Sequence, residues 1–91
     1  MAEVLRYLGN RQDCRVWRNN TGQIGSVKFG LKGSADILGL TCTGRFLAVE
    51  CKSTNGRQTE AQVNFQRMVE QHCGIYLLVR DVCELHGVSF R

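Results

Sequence analysis

Proline is missing from this 91-residue chain, histidine occurs only twice, and no low-complexity run interrupts it. A Pro-rich linker is therefore excluded. With 43% hydrophobic and 22% charged residues the composition is that of a globular domain. No run approaches the roughly 18 apolar residues of a membrane span. The start, MAEVLRYLGN, also lacks the long apolar segment of a signal peptide. A soluble, intracellular, cytoplasmic protein with no membrane partner is the expectation. The five cysteines (14, 42, 51, 73 and 83) are odd in number and include no C-x-x-C pair. That argues against a disulfide framework and against a zinc ribbon. Reduced cysteines acting as small hydrophobes suit a cytosolic chain.

What is present begins with size and charge. Residues 1–91 make one domain near the lower limit of independent folding. A chain of this length buries only about 60–65% of its unfolded surface, so a partner subunit would add useful buried area. The net charge is +4, with nine arginines against three lysines. Arginine is the better fork for phosphate, so the balance leans towards a nucleic-acid partner.

Along the chain, Val4, Leu5 and Leu8 predict a short helix over 2–9, stopped at Gly9-Asn10. CRVWRN (14–19) has the β-branched and aromatic character of a strand. Residues 19–33 hold four glycines and two lysines and read as a long basic loop, with room for a strand at 26–29. ADILGL (35–40) and RFLAVECK (45–52) are apolar runs around a four-residue turn, the pattern of a β-hairpin. Helical spacing of Ala61, Phe65, Met68, Val69 and His72 follows, ended by Gly74. IYLLV (75–79) reads as a buried strand, and 81–87 as a short helix or turn. The expected fold class is α/β, a mixed sheet with flanking helices in the order α-β-β-β-α-β.

AVECKS (48–53) raises the functional question. Side chains alternate along a strand, so Glu50 and Lys52 share one face, roughly 6–7 Å apart, while Cys51 points the other way. Asp36 begins the preceding strand, and the tight turn at 41–44 lets the two strands pair. Two carboxylates on neighbouring strands make a hard oxygen site suited to Mg²⁺. Such an ion can activate water and stabilise charge on a phosphodiester. Lys52 would then orient the attacking water or neutralise the crowded phosphate. A solvated ion pair between Glu50 and Lys52 accounts for the same spacing.

GSADILGL, GRFLAVECK and GRQTEAQVNF together resemble the VRR-NUC branch of the PD-(D/E)xK nuclease superfamily. Its pattern is a Gly-x-x-Asp strand, a Glu-x-Lys strand and a Gly-x-x-(Ser/Thr)-x-x-Gln helix opening. VWRNNTG (16–22) matches the segment usually found upstream. Ala35 departs from the pattern, since many members place proline there, but only the backbone of that position matters to the chemistry. The resemblance implies a restriction-endonuclease-like sheet. It also implies Asp36 and Glu50 as ligands of Mg²⁺ or Mn²⁺, the Cys51 backbone carbonyl as a third donor, and Lys52 as the catalytic lysine. Glu3 matches an acid directed at the same metal site, and Gln62 matches the family's glutamine in the catalytic set.

Other accounts stand beside these. Glu3 is equally an acid favoured by a helix N-terminus, and Thr59-Glu60-Ala61-Gln62 is a T-x-x-Q capping box. His72 reads as a packed histidine, and Trp17 as a core residue or a base-stacking one. Arg18, Lys28, Lys32 and Arg57 flank the proposed site and suit phosphate contacts. The resemblance is to stand-alone members of viral or bacterial type, which resemble Holliday-junction resolvases acting as homodimers. It therefore implies a metal-dependent endonuclease on branched DNA, leaving 5′-phosphate and 3′-hydroxyl ends. The alternatives are a nicking or restriction-type enzyme on ordinary duplex, and an inactive nucleic-acid-binding module.

Overall fold

The fold was analysed in a computed structural model. It describes residues 1–20, 22–24, 27–29 and 31–91, with the backbone alone for 22–24 and 27–29. Helix α1 (Ala2–Gly9) forms where the apolar spacing predicts it, burying Val4 and Leu8. Strands β1 (Cys14–Arg18), β2 (Gly22–Ile24), β3 (Val27–Phe29), β4 (Ile37–Thr41) and β5 (Phe46–Cys51) follow. Helix α2 (Glu60–Gln71), strand β6 (Ile75–Val79) and a 3₁₀ turn (Val82–Leu85) complete the chain.

The main sheet has four strands in the order β1-β4-β5-β6. β1 with β4 and β4 with β5 are antiparallel, while β5 and β6 are parallel. Parallel neighbours need a long crossover, and α2 supplies it. The hairpin between β4 and β5 closes through Gly44 (φ +83°), with Arg45 N–H donating to the Thr41 hydroxyl at 3.0 Å.

Alternation along β5 divides the core in two. Leu47 and Val49 pack with Val4, Leu8, Ile37, Val79, Leu85 and Phe90 on the α1 side. Ala48 packs with Ala35, Phe65, Val69 and Tyr76 on the α2 side. The molecule is thus a mixed α/β fold with a helix on each face of a mixed sheet. At its base, buried Asp13 pairs with Arg11 at 2.6 Å and accepts from the Phe90 N–H at 3.1 Å. That clasp ties the segment after α1 to residue 90.

Three features differ from the sequence expectation. β3 falls where the sequence left room for a strand at 26–29, but it pairs with β2, in the part read as loop, as a separate two-stranded antiparallel sheet, so five strands precede α2 where the expected order had three. Closely spaced glycines hide the two-residue alternation that would mark β2. The helix stop also moves: Cys73, not Gly74, takes the left-handed turn (φ +66°). Gly74 serves close packing, since a Cβ there would lie 2.7 Å from Val69 Cγ1. His72 is exposed rather than packed, capping α2 with its Nδ1 2.7 Å from the Met68 carbonyl.

Candidate active site

The register pairs Ile37 with Val49. One step further sets Asp36 across from Glu50. Asp36 Oδ2 accepts from the Cys51 N–H at 2.9 Å, which fixes the carboxylate at the mouth of the β4–β5 pair. Glu50 lies just beneath, 3% exposed, and its Oε2 has no hydrogen-bond partner. Burial, then hydrogen bonding to and repulsion by Asp36, pushes the Glu50 carboxyl up to about 8, with Lys52 pulling it partly back. Such a group is held neutral at ordinary pH unless a cation joins it.

Lys52 continues the β5–β6 ladder, its N–H donating to the Val79 carbonyl at 3.0 Å. Among the described residues, Arg11–Asp13 is the single ion pair. The Glu50–Lys52 spacing is therefore not a solvated ion pair: the acid is buried and the ammonium is not joined to it. Asp36, Cys51, Lys52 and Glu3 together line an open cavity of about 700 Å³ at the carboxyl ends of the parallel strands. Its far wall comes from Val79, Arg80 and Asp81.

The sequence candidates do not all meet there: Glu50, buried on the α2 face of the sheet, does not line the cavity and meets it only through Asp36. Glu3 reaches the cavity from the first turn of α1. Gln62 does not line it; its Oε1 accepts from the Thr59 N–H at 2.9 Å, and the Thr59 hydroxyl accepts from the Gln62 N–H at 3.2 Å, a complete capping box. Arg18, Lys32 and Arg57 are exposed outside the cavity, and the side chain of Lys28 lies outside the described residues.

Two residues that sequence reasoning passed over organise the site. Asn19 donates through Nδ2 to Ser34 Oγ at 2.7 Å and to the Ala35 carbonyl at 2.9 Å, and through its N–H to the Asp36 carbonyl at 2.8 Å. Gly33 (φ +77°) lets the same segment touch α2, where a Cβ would come within 2.3 Å of the Ala61 backbone. Arg80 Nη1 donates to the carbonyls of Ser53 (2.6 Å) and Gly56 (2.7 Å), pinning the loop that follows Lys52. The signal for Asn19 lay in the quoted VWRNNTG stretch; that for Arg80 was a cation placed directly after an apolar strand.

Among the described residues no three Asp, Glu, His or Cys side chains converge on one ion-sized space. The pair of carboxylates, one with a buried unpartnered oxygen, nevertheless has the donor chemistry of a Mg²⁺ or Mn²⁺ site, since such ions use one or two carboxylates and fill the rest with water. In comparisons with known proteins, no family model matches the chain and no curated sequence does.

Proposed function

We propose that this protein is a Mg²⁺- or Mn²⁺-dependent DNA endonuclease of the restriction-endonuclease-like type its sequence resembles. The observation that carries the reading is the buried Glu50, its Oε2 unpartnered among the described residues, against Asp36 and two residues before a lysine that enters no ion pair among them. Ionising a buried carboxyl beside a second acid is costly, and an ion shared with Asp36 relieves that cost. Asp36 and Glu50 would hold the cation, with the Cys51 carbonyl as a neutral donor and Glu3 approaching from α1. When bound, such an ion supplies activation of water and neutralisation of phosphate charge.

The chain's own groups do the rest. The Cys51 N–H holds Asp36 in a fixed rotamer. The ladder bond to Val79 sets the direction in which Lys52 leaves the strand. Its ammonium then orients the attacking water and offsets charge developing on the phosphate oxygens. Arg80 keeps the loop after Lys52 in place. The favoured substrate is branched DNA cut by a homodimer, because symmetric resolution of a four-way junction needs two centres related by a two-fold axis.

The test is cleavage of four-way junction, flap and linear duplex in Mg²⁺, in Mn²⁺ and in EDTA. Metal-dependent cutting with a preference for the junction is expected. Equal cutting of junction and linear duplex would leave a restriction-type or nicking enzyme. No cutting in either metal would leave a binding module.

A further inference from the structure

Trp17 is an edge-strand residue with 47% of its surface exposed, not the core residue its strand position suggests. The ladder pairs Trp17 with Leu38, Leu38 with Ala48, and Ala48 with Tyr76. Directly paired residues share a face, so the indole projects on the α2 side, the side that also holds Glu50. Phe65 and Val69 of α2 cover Ala48 and Tyr76 but leave the β1 end of that row open. Arg15 shares the face of Trp17 and Arg18 follows it along the edge, both exposed. Neither β1 nor β4 carries an Asp or Glu. Among the described residues neither arginine enters an ion pair.

We infer that Trp17 is a stacking platform for an unpaired DNA base, with Arg15 and Arg18 on the neighbouring phosphates. An exposed aromatic face interleaved with free arginines is the chemistry by which proteins hold single strands. The choice of DNA rests on the nuclease reading. Trp17 stands two strands across and one row along from Glu50, roughly 12 Å by ladder spacing. At ~3.4 Å per nucleotide while stacked, and more where an unpaired strand is extended, that places the stacked base within about four nucleotides of the cut. The substrate would therefore carry unpaired nucleotides beside the scissile phosphate, as where the centre of a branched DNA opens; a flap presents the same unpaired strand. A second copy of the chain fits this face less well, since a two-fold contact here brings Arg15 of both copies together with no carboxylate on β1 or β4 to pair them.

Trp17 is the only tryptophan, so its fluorescence reports this site alone. In EDTA, oligothymidylate and a flapped duplex are expected to quench it, and blunt duplex to do so far less. By anisotropy of labelled oligothymidylate, Trp17→Leu should bind roughly 5- to 150-fold more weakly, while Trp17→Phe keeps most of the affinity. Leucine preserves the apolar bulk without a π face, so wild-type affinity in Trp17→Leu would overturn the platform. So would a fluorescence change that follows protein concentration without DNA, the sign of a second copy covering the indole. Quenching without metal-dependent cleavage keeps the platform and removes the nuclease reading; cleavage of flaps without quenching removes the platform alone.

Discussion

At Glu50 the fold holds a carboxyl that prefers its proton, and the direction of that preference sets a pH dependence. Its folded pKa, about 8, lies above the ordinary 4.5. Between those values the folded state keeps a proton that the unfolded chain has released, so metal-free stability falls as pH rises through the window. A divalent cation reverses this by joining the ionised pair. Mn²⁺ should therefore raise the Tm more at pH 8 than at pH 6. Glu50→Gln should flatten the metal-free slope between pH 5 and 8, abolish the Mn²⁺ shift and abolish cleavage. An unchanged slope in a thermal melt series would refute the assignment. Lys52→Ala makes the opposite separation: cleavage should fall by roughly a hundredfold or more, while Mn²⁺ binding by calorimetry persists, because an ammonium does not ligate metal. The Asp36, Glu50 and Lys52 positions were legible because strand alternation and a tight turn fix them from spacing alone. The proton on Glu50 was not, since burial depends on what α2 and β6 bring over it.

Elements set the site through a few fastenings. Asn19, just beyond β1, and Gly33, against the first turn of α2, together hold the segment that delivers Asp36. Asn19→Ala should lower stability by about 1–2 kcal/mol through the lost side-chain hydrogen bonds. Mn²⁺ affinity and cleavage should weaken with it, and wild-type metal affinity by calorimetry would show that Asp36 holds its place without Asn19. Gly33→Ala should do more harm, because it both strains a positive φ and forces the segment off α2. The six main secondary-structure elements could be read from periodicity, with α1 and β6 at their observed limits. Of the β2–β3 sheet only β3 could, as a strand near 26–29; β2 could not, because glycines carry no alternation, and neither could Asn19 or Arg80. Their partners are backbone carbonyls brought near only by the fold.

On the scale of the whole molecule, a domain this small gains from an isologous partner. Light scattering at micromolar concentration should report twice the chain mass. DNA binding should weaken steeply with salt as phosphate counterions are released, and exchanging Lys32 and Arg57 for glutamine should shallow that slope while sparing Mn²⁺ binding. A monomer that binds junction and duplex alike would sink the resolvase reading. Stability in acid has a separate source: Arg11 and the Phe90 N–H hold the Asp13 carboxyl down at about 2, against an ordinary 3.8. That contribution, about 2 kcal/mol, is complete above the unfolded value and is lost as pH falls through the folded one. Asp13→Asn should remove it, which melts recorded between pH 2 and pH 5 would reveal. The same clasp also bears on the order of synthesis. Residue 90 follows every strand of the sheet in sequence, so during synthesis Asp13 has Arg11 as its partner before Phe90 is made. Only when Phe90 has been made does Asp13 gain its backbone donor, so the clasp closes after every strand of the sheet is available.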